Sequence, residues 1–169
     1  IHQPGIAVGG HCIPVYPRLY LWNDPHATIV RAAREANLAM PLHAVDLLES
    51  AMKGLKSRRV LVLGASYRAW VKETAFSGVF DVVRELQARG ALVSVDDPLY
   101  SVEELEALGL QAEYNPAEVG GIIVQTDHMQ YGDLSPDIFP AVEAVVDGRK
   151  VLSKRWSNVR LIGVSPTTF

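Results

Sequence analysis

The sequence contains a single cysteine, Cys12, so it has no internal disulfide framework. It lacks any run of about 18 apolar residues and any signal-peptide pattern, which leaves no hydropathy case for a membrane-spanning helix or an export leader. Positive charge is sparse and scattered, with 16 Lys and Arg against 19 Asp and Glu and a formal net charge of -3. That balance gives no electrostatic footprint for nucleic acid or an anionic membrane, although a small anionic ligand needs only a few well-placed cations. No Gly-x-Gly-x-x-Gly turn occurs anywhere, so the usual cradle for a dinucleotide is missing. Repeats and low-complexity tracts are absent as well. A cytoplasmic globular protein, with neither nucleic acid nor membrane as partner, fits these absences.

What remains is 169 residues, 49% hydrophobic and 21% charged, enough for one core of roughly 100 to 150 residues and an appended piece. The opening at Ile1, running at once into Pro4-Gly5 and Gly9-Gly10, reads as the interior of a longer chain. Gly and Pro signals surround Cys12 on both sides, with Tyr16, Tyr20 and Trp22 between the later prolines, so residues 1–25 read as an ordered loop. From His26 to Lys56 the pattern is helical. Ile29, Val30, Ala33 and Ala36 share one face, then Leu38, Leu42, Val45, Leu48 and Met52 follow at helical spacing. Asp24-Pro25 is its candidate start, and Pro41 predicts a kink or two helices meeting there.

Beyond residue 57 strands and helices alternate. Arg59–Gly64, Leu92–Val95, Ile122–Gln125, Ala144–Asp147 and Arg160–Val164 are short apolar runs suited to buried strands. Residues 76–89 predict an amphipathic helix with Phe76, Val79, Phe80, Val83 and Leu86 inward. Ser101 and Glu104 make a capping box for a helix over 102–108. The order predicts an α/β fold, a doubly wound, Rossmann-like and mostly parallel sheet, preceded by a long helix and an N-terminal active-site loop. Its ligand is expected at the strands' carboxyl ends, near Gly64, Asp96, Thr126 and Asp147.

Cys12 is the candidate nucleophile. A reactive thiol wants close backbone approach, which Gly9-Gly10 supplies, and stabilisation of its anion, for which His11 is the neighbouring candidate. Taken without context, a lone cysteine beside a turn is more often a buried packing residue. A metal site from His2, His11 and Cys12 lacks a second ligand cluster at familiar spacing, and no metal is expected.

The longer string Gly9-Gly10-His11-Cys12-Ile13-Pro14-Val15 resembles the active-site signature of the UDP-glucose/GDP-mannose dehydrogenase family, in the form used by its UDP-N-acetylhexosamine branch. Leu63-Gly64-Ala65-Ser66-Tyr67-Arg68, Asp97-Pro98, Thr126-Asp127-His128 and Asp147-Gly148-Arg149 resemble further segments of that family, in its order and spacing. The resemblance implies the C-terminal part of an NAD-dependent enzyme that oxidises a sugar C6 alcohol to a carboxylate in four electrons. Cys12 would capture the aldehyde as a thiohemiacetal, then carry the thioester that water releases.

The resemblance also implies site residues. Gly9, Gly10, His11, Tyr67, Arg68 and Arg149 would contact the UDP-sugar substrate. NAD would be bound mainly by a domain outside these residues, with Lys72 as a candidate contact from this one. Residues 1–56 would be the remainder of a central helical domain, dimerising through the helix 26–56, and residues 57–169 the UDP-sugar-binding domain.

Two positions depart from the family pattern. Tyr16 stands where an assisting Asp is usual, and Ala75 where an Arg contacts NAD. With the missing dinucleotide turn, they support the alternative of a non-catalytic nucleotide-sugar-binding or dimerisation module.

Overall fold

The computed structural model of the chain describes residues 5–152, 156 and 159–164. Five strands form one parallel sheet: β1 (Arg59–Leu63), β2 (Leu92–Asp96), β3 (Gly121–Val124), β4 (Ala144–Asp147) and β5 (Arg160–Gly163). Their spatial order is β2-β1-β3-β4-β5. Every pairing is parallel, with Leu61 level with Ser94 and Ile122, and Ile123 level with Val146. The chain moves from β1 outward to β2, then crosses back to place β3 on the other side of β1. That reversal opens a crevice between the carboxyl ends of β1 and β3, where doubly wound sheets bind ligands.

Alternate residues of the strands feed two cores. Val60, Val62, Val95, Ile123 and Val146 pack against α2 (Thr28–Met52) and α3 (Val79–Ala88), through Val45, Leu48, Met52, Val82 and Leu86. Leu61, Leu63, Ile122, Val124 and Val145 face the other way, onto Tyr131 of α5 (Met129–Gly132), Phe139 and Trp156. Burial on both faces explains why the sequences of β1, β3 and β4 are almost continuously apolar rather than alternating. The capping box stands as expected, with Ser101 and Glu104 opening α4 (Val102–Ala107).

Three expectations need correction. The stretch after Cys12 is a helix, α1 (Cys12–Asn23), not a loop. The Gly signals all precede Cys12, and Pro14 falls in the first turn, where N–H groups have no intrahelical partner, while Pro17 lies inside the helix. Asp24 and Pro25 belong to the turn that follows, in which the Asp24 carboxylate accepts from His26 N–H at 3.0 Å.

Second, α2 is one helix from Thr28 to Met52 with a buried Pro41 inside it, so two separate helices do not meet there. Its buried face is Pro41, Ala44, Val45, Leu48 and Met52, whereas Leu38 and Leu42 are 54% and 44% exposed. Asp46 pairs across to Arg89 of the α3 C-terminus at 2.6 Å, and Arg89 also holds Glu49 and Glu85.

Third, Phe76 is not on the inner face of α3. It lies before the helix, 49% exposed, with a left-handed backbone (φ 51°). The Arg18 guanidinium stands 5.4 Å from its ring centroid. No helix among the described residues is long and apolar enough to cross a membrane.

Candidate functional site

The N-terminal segment is drawn into the crevice by a few long-range contacts. Ile6 is fully buried, and its carbonyl accepts from Gln125 Nε2 at 2.9 Å. Val8 N–H donates to Asn37 Oδ1 of α2 at 2.8 Å, and Gly10 N–H to the Ala75 carbonyl at 2.8 Å. A Cβ on Gly9 would stand 2.6 Å from Tyr67 Cβ and 2.8 Å from the Phe76 carbonyl oxygen. Gly10 has φ +90°, and a Cβ there would meet the Tyr67 ring at 3.1 Å. The two glycines therefore let the chain cross Tyr67 in contact and turn immediately into α1. Cys12, the first residue of α1, is exposed.

Around this crossing lies an open cleft of about 490 Å³, lined by Val8, Gly9, Gly10, His11, Cys12, Ile13, Tyr67, Arg68, Asp127 and Arg149. Cys12 and the residues expected to contact the substrate all line it. Arg68 sits over the Tyr67 ring at 5.8 Å. Arg149 Nε donates to the Gln125 carbonyl at 3.3 Å, and its guanidinium passes beneath Gly5. Among the described residues neither arginine is paired with a carboxylate. Two unpaired guanidiniums in one concave site suit a phosphate or diphosphate ligand.

Other placements differ from expectation. His11 faces Glu73 at 3.5 Å. The Glu73 carboxyl is held below its ordinary range by hydrogen bonds from the Ala75 and Thr74 backbone, helped by His11. Lys72 lies outside the cleft, bound to Glu104 at 2.5 Å and above the Tyr100 ring. Tyr16 is one helical turn beyond Cys12 and 64% exposed, so both side chains leave the same face of α1. His2 lies outside the described residues, and among those described no group of three potential ligands is placed to hold a metal. A second cavity of about 460 Å³ lies at the amino ends of β1 and β2, lined by residues such as Arg59, Leu92 and Tyr114, away from Cys12.

Beneath the cleft is a buried polar network that the strand pattern does not reveal. Asp97, immediately after β2 and 2% exposed, accepts from the N–H groups of Ala65 and Ser66, both at 2.8 Å. It also accepts from Leu99 N–H at 2.9 Å and meets His128 Nε2 at 3.2 Å. Burial alone would raise its pKa, but hydrogen bonds from His128, Ser66 and Leu99 outweigh it and hold the carboxyl at about 2. Asp96 is raised by burial and by the neighbouring Asp97. Tyr131 donates to the Asp96 carbonyl at 2.8 Å, and its phenol is pushed well above the ordinary tyrosine range by burial and both aspartates. Asp147, 4% exposed, accepts from Arg149, Val151 and Leu152 N–H groups at 2.9 to 3.2 Å.

The turn after β1 does not fit a resident dinucleotide. Its Ala65 and Ser66 N–H groups are spent on Asp97. Thr126 fills the space beside Gly64, where a Cβ would come within 2.3 Å of the threonine side chain. The diphosphate of NAD would find neither free amides nor room there.

A parallel sheet of order 2-1-3-4-5, with a cationic cleft at the carboxyl ends beside its switch point, defines a doubly wound α/β domain of the ligand-binding kind. Within that class, the UDP-binding domain of the UDP-glucose/GDP-mannose dehydrogenase family matches residues 61–154, and the chain belongs to this family. A UDP-N-acetyl-D-mannosamine dehydrogenase of Methanococcus maripaludis is 32% identical over 139 residues, covering 81% of this chain and 32% of that protein. Among solved structures, a UDP-glucose dehydrogenase from Pyrobaculum islandicum superposes with a TM-score of 0.80 at 30% identity, covering 95% of this chain and 38% of its own. A UDP-D-ManNAc dehydrogenase from Pyrococcus horikoshii gives 0.82 at 26% identity, covering 97% and 40%. The chain thus spans about a third to two fifths of the length of these relatives.

Proposed function

We propose that the chain is the C-terminal portion of an NAD-dependent UDP-sugar 6-dehydrogenase, acting on a UDP-N-acetylhexosamine. It would hold the nucleotide sugar and carry the thiol that captures the oxidised C6 carbon. The observation that carries this reading is the convergence of Cys12 with Gly9, Gly10, His11, Tyr67, Arg68 and Arg149 around one cleft. Arg68 and Arg149 neutralise the diphosphate, Tyr67 packs against the sugar or base, and the sugar's C6 reaches Cys12 at the start of α1.

As its thiolate, Cys12 adds to the C6 aldehyde, forming the C–S bond of a thiohemiacetal as the carbonyl π bond breaks and its charge passes to an oxyanion at the N-terminal end of α1. The unpaired N–H groups and positive dipole end there are the chain's own means of stabilising it. Covalent capture keeps the aldehyde in place between its formation and its oxidation to the thioester. Water then releases the carboxylate and the thiol. NAD, the oxidant, would be held mainly by a part of the protein other than these residues, a reading that the filled turn after β1 supports, with Lys72 as the contact to test from this side. The family's oxidoreductase chemistry and the nucleotide-sugar names of the relatives support the same reading.

The reading extends to a homodimer through the helix 26–56 in a cytoplasmic enzyme. The exposed apolar residues Ile29, Leu38 and Leu42 of α2, with Leu19, Tyr20 and Trp22 of α1, support the dimer.

Alkylation of Cys12 by iodoacetamide tests the site. A UDP-N-acetylhexosamine at millimolar concentration is expected to slow the reaction at least about tenfold, with UDP alone giving weaker protection. Equal rates with and without the sugar nucleotide, in a folded sample, would remove Cys12 from the substrate site.

A further inference from the structure

Asp97 and Asp147 are the buried carboxylates that flank the crevice, one after β2 and one at the end of β4. In the order β2-β1-β3-β4-β5 they stand on opposite sides of the β1/β3 switch point. Each spends both oxygens as acceptors. Asp97 Oδ2 takes Ala65 and Ser66 N–H and Oδ1 takes Leu99 N–H. Asp147 Oδ1 takes Arg149 and Val151 N–H and Oδ2 takes Leu152 N–H. Neither carboxylate is among the residues that line the cleft. What each does hold is the turn that carries one of the two unpaired guanidiniums, Arg68 two residues after Ser66 and Arg149 two after Asp147.

We propose that Asp97 and Asp147 are a matched pair of positioning residues, each fixing the backbone that aims one cleft arginine, Arg68 and Arg149 respectively, at the two ends of the anionic group of the ligand. This rests on the reading of the cleft as a nucleotide-sugar site. Three backbone N–H bonds to one carboxylate disperse its charge locally, so a negative group beneath the cleft does not repel an anion above it. They also fix the turn in one conformation before the ligand arrives, which spares the ordering cost on binding. Asparagine cannot replace either residue, because both oxygens accept. Whichever way its amide turned, an NH2 group would face a backbone N–H.

The test is a set of double-mutant cycles read by calorimetry with UDP, alongside backbone amide exchange, on the 169-residue chain. Asp147→Asn is expected to weaken UDP binding about tenfold in the native background but less than about threefold on top of Arg149→Ala. On top of Arg68→Ala it should keep its full effect. Asp97→Asn should show the reverse, its effect absorbed by Arg68→Ala and undiminished by Arg149→Ala. Exchange should quicken at Ala65, Ser66 and Leu99 in the Asp97 variant, and at Arg149, Val151 and Leu152 in the Asp147 variant. Serine at either position, which keeps one acceptor, should fall between and replaces an asparagine variant that does not fold.

Effects that multiply equally on both arginine backgrounds, or exchange that quickens across the whole sheet, would overturn the proposal in favour of general structural support. If the unsubstituted chain takes up no UDP, the cleft reading fails. Amide exchange then judges the clamps alone, localised quickening supporting them and uniform or absent change overturning them.

Discussion

At the residue scale, the site is a matter of what stands next to Cys12. The thiol's neighbours in sequence, Gly9 and Gly10, give a specific reason for their identity only in three dimensions, because the clash they avoid is with Tyr67 and the Phe76 backbone. Asp97 is the residue whose chemistry makes the sharpest claim. Its carboxyl sits at about 2 in the folded chain, against roughly 3.9 for an unfolded aspartate. A depressed acid contributes stability that is complete above the unfolded value and lost as pH falls through the folded one. The difference amounts to about 2 kcal/mol, and urea unfolding between pH 5 and 2 should show it. In Asp97→Asn the corresponding part of the acid-induced loss should be absent, and an unchanged pH slope would contradict the assigned network.

The residues around the thiol were legible in the sequence because one motif carries four of them and the turn after β1 carries two more. The buried acceptors were not. Asp97 and Asp147 stand in segments that resemble the family, but nothing local announces that their partners are backbone N–H groups, for Asp97 as far as 32 residues away.

At the scale of elements, β1, β3 and β4 were the easiest to read, since burial on both faces leaves only apolar residues in their middles. Helix α1 was hidden by its own prolines: Pro14 in the first turn suits a helix, but Pro17 inside it, with Pro25 beyond, suggests a loop. Helix α2 was legible in its extent but not in its orientation. Two apolar stripes run along it, and only the sheet decides that Pro41, Ala44, Val45 and Leu48 go inward while Leu38 stays out. At 25 residues it is about 37 Å long, longer than a sheet of four- and five-residue strands requires. The proposed dimer uses the surplus. Leu38→Glu should shift the chain to monomer in light scattering with little change in melting temperature, because Leu38 is 54% exposed. A monomer before substitution, at micromolar concentration, would count against the dimer.

At the scale of the whole molecule, the fold places the thiol and the two guanidiniums on one rim although they come from three distant parts of the chain. The β1 turn and the β4 turn are brought together by the parallel order of the sheet, which the alternation of strands and helices foretells. The third part, the N-terminal segment, is seated by Ile6 and Gln125, 119 residues apart; no periodicity encodes such a contact. The central claim is that this shared rim is a nucleotide-sugar site. Titration calorimetry of UDP into the folded 169-residue chain tests it most directly. Saturable binding is expected at one site per chain, weakened at least about tenfold by Arg68→Ala and by Arg149→Ala. Absence of binding at millimolar UDP, or binding that neither substitution alters, would contradict it.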